Sequence, residues 1–306
     1  MATELYQLIT WARVVETGSV TGAANQLGLS QPAVTKQVRQ LEAAVGVPLL
    51  ERRGRGVRPT VAGEVLAAYA RRIAGLVGEA TAAAATAGRS GGRLVLAAAT
   101  TVSIVKLPGL LSAYRQDHPQ VEVVVYSGDS SHVCDLVSDD LADCGIVTTA
   151  LRRPALVTLP LFWDDMLLVV PGGHPWALRR QVRPAAVAQQ PLVLFRRGSG
   201  FRAYLDQILE DAGVVPRVAM ELDSMEAIKQ MVEAGLGAAF LPRSAVTPEL
   251  VAGTLVDVSL TGIPPMRRQT SLVYRQDKMV SPALAAWFAL LADRFGQSVP
   301  TASRWP

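Results

Sequence analysis

Apolar positions Leu5, Leu8, Ile9, Ala12 and Val15 recur at helical spacing and stop at Gly18, which predicts a first helix closed by glycine. Ser19 or Thr21 can cap a second short helix ending at Leu27. Ser30 caps a third, with Pro32 in its first turn, where a missing N–H costs nothing. Gly28-Leu29 makes the turn between them. Around the third helix Val34, Val38 and Leu41 share one face. Pro32, Lys36, Arg39 and Gln40 lie opposite, with Gln31 and Thr35 on its start and flank. A hairpin is expected from Leu49 to Arg58, its tip and flanks carrying Arg52, Arg53, Arg55 and Arg58. Two short helices, a glycine turn and a basic hairpin outline a winged helix-turn-helix.

From Thr60 to Gly88 the pattern changes. Ala62, Leu66, Tyr69, Ile73, Leu76, Ala80, Ala83 and Ala87 follow alternating spacings of four and three, an unbroken heptad seam on a long helix without proline. A lone helix cannot bury that seam, so the same helix of a second copy is the expected partner; packing on the chain's own domain is the alternative. Gly88 to Gly92 reads as a flexible hinge.

Beyond it strands and helices alternate. Strands are expected at Arg93–Ala97, Val121–Tyr126, Gly145–Val147, Met166–Val170, Pro191–Phe195 and Leu272–Tyr274. Helices are expected at Leu107–Asp117, Val133–Leu141, Phe201–Ala212, Ser224–Ala234 and Pro282–Phe295. Such alternation argues for parallel sheets with helices on both faces. In open α/β sheets small ligands bind beyond the carboxyl ends of strands, where helix N-termini offer free N–H groups to anions. Thr100, Thr101 and Ser103 follow the first strand of this region, Ser127 to Ser131 and His132 follow the next, and Thr148 and Thr149 end another. Ser199 and Gly200 open the helix from Phe201. These hydroxyls predict an effector site of Thr100, Thr101, Ser103, Ser127, Ser130, Thr148, Thr149, Ser199 and Phe201. Its ligand would be a carboxylate or phosphate, although each hydroxyl taken alone also suits a helix cap. Arg196, Arg197 and Arg202 could clamp an acid or belong to a solvated loop.

Length and composition narrow the picture. A chain of 306 residues exceeds the ~250 at which single cores stop growing, and 50% hydrophobic with 18% charged residues suits folded domains. The most apolar uncharged stretch, Met279 to Ala292, is shorter than the ~20 residues of a membrane span. Met1 to Val15 has no basic leader before an apolar segment, so the expected compartment is the cytoplasm. The charge is uneven: residues 1–92 hold 10 basic and 6 acidic side chains, whereas 93–306 hold 20 of each. A basic unit joined to a neutral one suggests a polyanion partner at one end.

That partner gives the third helix a role. Lys or Arg suit guanine edges or phosphates, Gln suits adenine, and small Ala33 and Thr35 let the helix approach thymine methyls. Wing arginines suit phosphates or the narrow minor groove. The DNA-contact set is Ser30, Gln31, Pro32, Ala33, Thr35, Lys36, Arg39, Arg52, Arg53, Arg55 and Arg58. The plainer alternative is a solvated helix beside a charged loop. Three histidines (His118, His132, His174) lack ligand spacing, so no metal or cofactor is expected, and His132 reads as a surface or capping residue. No nucleophile elbow, phosphate loop or dinucleotide turn is present, and no catalytic residue is assigned.

The runs Ser19–Leu27, Leu29–Glu42, Gly46–Arg53 and Pro59–Gly63 resemble the N-terminal signature of the LysR-type transcriptional regulators. Looser similarity continues through Leu107-Pro108, His118-Pro119 and Val232–Pro242. The resemblance implies an α/β protein with a winged helix-turn-helix DNA-binding domain (1–59) and a dimerising linker helix with its hinge (60–90). It also implies an effector domain (91–306) like periplasmic binding proteins, with subdomain one at 93–163 plus 269–298 and subdomain two at 164–268, joined by two crossovers. It implies a homodimer through the linker helix, a homotetramer, an inverted-repeat operator in double-stranded DNA and a small organic effector. Some relatives sense peroxide through a cysteine pair in the second subdomain. This chain has Ser199 and no cysteine there, and Cys144 reads as buried, so redox sensing is not expected. A small-solute-binding protein without a regulatory role is the alternative function; it does not account for residues 1–60.

Overall fold

The computed structural model describes residues 4–53, 56–86, 92–149 and 151–296. The head contains α1 (Leu5–Thr17), α2 (Val20–Leu27) and α3 (Gln31–Val45), then the hairpin β1 (Leu50–Arg53) and β2 (Gly56–Pro59). Ser19 Oγ accepts from the Gly22 N–H and Ser30 Oγ from the Ala33 N–H, so each cap satisfies an otherwise orphaned donor. Gly18, Gly28 and Gly46 close the three helices with left-handed backbone, where a side chain would be strained. Trp11, Val34, Val38, Leu41 and Leu49 form the head's core.

The long helix α4 (Val61–Thr86) begins against this core, capped by Thr60, whose Oγ1 accepts the Gly63 N–H at 3.1 Å. Its packing corrects the heptad expectation. The fully buried positions are Gly63, Ala67 and Ala70, laid against α1, with Leu66 and Ile73 half-buried beside them. Ala62 and Tyr69 of the seam face outward, and Leu76 is exposed. Part of the seam therefore packs on its own domain, because small side chains let two helix backbones approach closely. Ala87 and the hinge residues Gly88 to Gly91 lie outside the described residues.

The rest comprises β3 (Arg93–Ala99), α5 (Thr100–Val105), α6 (Leu107–Asp117), β4 (Glu122–Gly128), α7 (Ser130–Ser138), β5 (Cys144–Val147) and β6 (Leu156–Pro171). Then follow α8 (Pro175–Arg179), β7 (Gln181–Val182), α9 (Pro184–Val187), β8 (Pro191–Phe195), α10 (Gly200–Asp211), β9 (Arg217–Leu222) and α11 (Met225–Glu233). The chain continues through β10 (Ala239–Pro242), α12 (Arg243–Ala252), β11 (Leu255–Leu260), β12 (Arg267–Arg275) and α13 (Pro282–Phe295).

The parallel-sheet expectation holds only in part. β3 pairs in parallel with β4 and β5, as does β8 with β9, but β12 runs antiparallel to both β5 and β6. β6 is a 16-residue strand where only Met166–Val170 was expected. Its first part pairs with β12, from Leu156↔Arg275 to Asp165↔Arg267, and its second part pairs with β10 and β11. β6 and β12 thus carry the chain across between two sheets.

Each sheet is covered on both faces, as buried strands require. In the first, Leu94, Leu96, Trp287 and Phe288 pack on one side, while α7 covers the other with Val133, Cys134 and Val137. In the second, Leu192, Leu194, Leu205 and Phe240 lie on one side, and Val193, Ile228, Val232 and Leu241 on the other.

Candidate nucleic-acid interface and effector cleft

The head holds α3 in place by polar bonds on both sides. Thr10 Oγ1 donates to Gln37 Oε1 at 2.5 Å from α1, and Glu42 Oε1 accepts the N–H groups of Leu49 and Leu50 at 2.8 and 3.2 Å. The second contact ties the base of the wing to the end of α3. Trp11 Nε1 donates to the Gly63 carbonyl at 3.2 Å, and a Cβ on Gly63 would stand 2.2 Å from the Leu49 carbonyl oxygen. Only glycine lets α1, α4 and the wing base meet there.

With Val34, Val38 and Leu41 buried, α3 presents Gln31, Pro32, Lys36, Arg39 and Gln40 to solvent, with Ala33 and Thr35 half-buried between them. This surface lines an open groove of about 720 Å³ shared with Glu4 and Gln7 of α1. Ser30 is exposed but already serves as the N-cap, and Thr35 Oγ1 donates to the Gln31 carbonyl. Arg52 and Arg53 sit on β1 in register with Val57 and Gly56, Arg58 is exposed on β2, and Arg55 lies outside the described residues.

The second site is a cavity of about 390 Å³ where the two sheets meet. Of the predicted residues it gathers Thr100, Thr101, Ser130, Thr148, Thr149, Ser199 and Phe201. Ser103 and Ser127 are not among its lining: Ser127 Oγ donates to Ser103 Oγ at 2.8 Å, and Ser103 Oγ donates to the Ala98 carbonyl. Several lining hydroxyls also have structural partners. Ser130 Oγ accepts the Thr148 N–H, Thr100 Oγ1 donates to the Gly128 carbonyl, and Ser199 Oγ caps α10. His132 is exposed, and its N–H donates to Asp129 Oδ1 at the start of α7. At Gly200 a Cβ would meet Thr149 Oγ1 at 2.6 Å, so glycine lets the two walls approach.

Sequence reasoning missed the cleft's cation. Arg268 of β12, with a side chain only 9% exposed, donates through Nη2 to Thr101 Oγ1 at 3.2 Å and to Asp164 Oδ2 at 3.5 Å. Its Nε is buried without a hydrogen-bond partner. Burial lowers the guanidinium's pKa, and Asp164 opposes that shift by charge and hydrogen bonding. Asp164 also accepts the Ser244 N–H at 3.2 Å and the Ser244 hydroxyl at 2.6 Å. Arg268 and Asp164 are register partners on the two crossing strands, 104 residues apart in sequence, a pairing no local pattern shows. Asp129 and Asp223 bring negative charge to the rim, while Leu151 and an edge-to-face pair, Phe195 and Phe201 at 5.2 Å, supply an apolar wall.

The predicted arginine clamp is not in the cleft lining. Arg202 is buried, its Nε held by Asp206 at 2.7 Å and its Nη1 by Glu221 and the Phe195 carbonyl, both at 3.0 Å. Arg197 pairs with Glu221, and Arg196 is exposed. Cys134 and Cys144 are buried free thiols, and burial pushes both pKa values up, away from the reactive thiolate. Among the described residues no His, Cys, Asp and Glu cluster could hold a metal, and no helix is long and apolar enough to cross a membrane.

A winged helix-turn-helix head followed by a two-sheet domain with a cleft defines a DNA-binding regulator with an effector-binding module. Comparison with known proteins agrees. Residues 5–64 match the bacterial regulatory helix-turn-helix proteins of the lysR family, and residues 87–296 match the LysR substrate binding domain. The chain belongs to the LysR family of transcriptional regulators. It is 32% identical over 273 residues to the uncharacterised transcriptional regulator YusT of Bacillus subtilis, covering 89% of each chain. It is 31% identical over 288 residues to the regulator CbbR of Rhodospirillum rubrum, covering 94% of this chain and 95% of that one. Full-length CbnR, solved in complex with its target DNA, superposes with a TM-score of 0.66 at 26% identity over 95% of this chain and 99% of CbnR. These relatives are regulators, which sets aside the solute-binding alternative.

Proposed function

We propose that the protein binds an inverted-repeat operator through the exposed face of α3, and that a compact anionic metabolite in the Arg268 cleft tunes this binding. The observation that carries the reading is the α3 surface itself: Lys36, Arg39, Gln31 and Gln40 stand exposed beside a basic wing, on a head with its own core. A cavity of about 390 Å³ is at the small end of the ~300–1,000 Å³ usual for ligand pockets, which suits a ligand of metabolite size. The N-termini of α7 and α10, with Arg268, favour a carboxylate or phosphate group there. The cleft is read as a sensor and not as a catalytic site.

A homodimer supplies the second half-site. Val61, Val65, Tyr69 and Leu76 lie exposed along α4, with Val61 83% and Tyr69 58% accessible. An apolar stripe of this kind suits a second copy's linker helix, and pairs of dimers would form the tetramer. The protein would act where the DNA is, in the cytoplasm.

The test is a titration of duplex DNA, enriched from a random pool by the wild-type protein, at increasing salt. Phosphate contacts release counterions, so affinity is expected to fall by about 10³-fold or more between 50 and 200 mM salt if roughly six phosphates are engaged. A flat response would reject the basic head as a DNA-binding surface.

A further inference from the structure

The charges around the cleft divide into two poles. Asp129 follows β4 and Asp223 follows β9, so two carboxylates come to one cavity from different sheets, and neither forms an ion pair among the described residues. Asp129 Oδ1 accepts the His132 N–H at 2.8 Å, so the start of α7 is already supplied with negative charge by its own cap. Asp223 stands just before Ser224, the cap of α11. These two acids make the negative pole.

The opposite pole is built from Arg268 and α10. Among the described residues that line the cavity, Arg268 is the one cation. Its side chain is 9% exposed, and Nη2 donates to Thr101 and Asp164. Nε is buried without a partner, and Nη1 makes no hydrogen bond to a described residue. Donors left unused on a buried guanidinium are costly, and a planar carboxylate fits their fork. Helix α10 is capped by neutral Ser199, whose Oγ accepts the Arg202 N–H at 3.1 Å, so its start, unlike that of α7, still lacks an anion. Beside the poles stands the apolar wall of Leu151, Phe195 and Phe201.

A phosphate ester or a dicarboxylate would meet a single cation, already shared with Asp164, and two acids within a cavity of about 390 Å³. Like charges at such range repel, more strongly where water is excluded. An ammonium group reverses the sign of that interaction. It has three N–H donors and no acceptor, whereas carboxylates only accept, so one ammonium can serve both acids.

We propose that the cleft takes an α-amino acid with an apolar side chain. Its carboxylate lies on Arg268 and the start of α10, its ammonium on Asp129 and Asp223, and its side chain against Leu151, Phe195 and Phe201. The proposal rests on the reading of the cleft as the effector site and narrows the carboxylate-bearing ligand to one that also carries an ammonium. Specificity then comes from the two acids, which penalise a ligand that leaves them facing an oxygen.

The experiment is calorimetric titration of the full-length protein with L-valine, L-leucine, L-methionine and L-phenylalanine, each beside its 2-hydroxy and 2-oxo acid. At least one amino acid is expected to bind, about tenfold or more tighter than both of its counterparts, the effect of one hydrogen bond between charged groups. Asp129→Asn/Asp223→Asn should reduce that affinity to the level of the hydroxy acid; asparagine still caps α7, and an unchanged melting temperature without ligand confirms the fold. A hydroxy or oxo acid that binds as tightly as the amino acid, or full affinity in the asparagine variant, would overturn the proposal. Succinate and glycerol phosphate are titrated alongside. Their binding without that of any amino acid would overturn the ammonium assignment and leave the cleft standing as an anion site; no binding by any compound would remove both.

Discussion

Gly63→Ala is expected to unfold the DNA-binding head while leaving the effector domain folded. The new Cβ would stand 2.2 Å from the Leu49 carbonyl oxygen and 3.0 Å from the Trp11 ring. Neither neighbour can yield readily. Leu49 is buried and begins the wing, and Trp11 is fully buried and donates to the Gly63 carbonyl itself. Overpacking of this kind costs about 1–3 kcal/mol where side chains can shift, and more where backbone must move, so about 3 kcal/mol or more is expected. That is a large fraction of the stability of a domain near sixty residues long. Amide exchange should show protection lost across α1 to α3 and retained in β3, β5 and β12, with operator binding gone. Wild-type protection in the head would show that the three elements do not meet as described.

The second large effect concerns the cleft. Arg268→Met keeps a long buried side chain and removes the charge, but it leaves Asp164 buried with Ser244 as its remaining hydrogen-bond partner. An unpaired buried carboxylate is destabilising by about 3–5 kcal/mol. The double variant Arg268→Met/Asp164→Asn avoids that cost. Screened by thermal shift against compact carboxylic acids and phosphate esters, wild type should melt at a higher temperature with those that bind; at a hundred times Kd the stabilisation is about 2.7 kcal/mol. At the same ligand concentration the double variant should show a clearly smaller response, about 0.4–1.4 kcal/mol, because its affinity is reduced by about tenfold to a hundredfold, as expected for losing a hydrogen bond to a charged group. Equal responses from both proteins would move the ligand away from Arg268.

Much of the head was legible because its signals are local. Ser19, Ser30, Gly18 and Gly28 set helix ends by hydrogen bonding and by φ, and the exposed face of α3 followed from three buried residues at helical spacing. The hydroxyls that line the cleft were legible for a similar reason: Thr100, Ser130 and Ser199 sit where strands end and helices begin. Long-range pairing was not legible. β6 carries Pro160, Trp163, Asp164 and Asp165 in its middle, which breaks any strand period, because its two halves serve different sheets. Arg268 gained its meaning only from Asp164 across that crossover. On α4 the inward residues are Gly63, Ala67 and Ala70, whereas Val65 and Tyr69 face outward. A hydrophobic pattern ranks those residues the other way, because it measures side-chain transfer and not how closely two helices can approach.

The solvent face of α3 is proposed to read DNA. The most direct measurement is the binding of Lys36→Ala/Arg39→Ala to wild-type-selected duplex and to a scrambled duplex, with oligomeric state followed by size-exclusion chromatography. Each good side-chain-to-base pair contributes about 1–3 kcal/mol of discrimination. At least about tenfold weaker binding to the selected duplex is therefore expected, with a narrowed preference over the scrambled one and an unchanged oligomer. Wild-type affinity and preference in that variant would contradict this reading of α3.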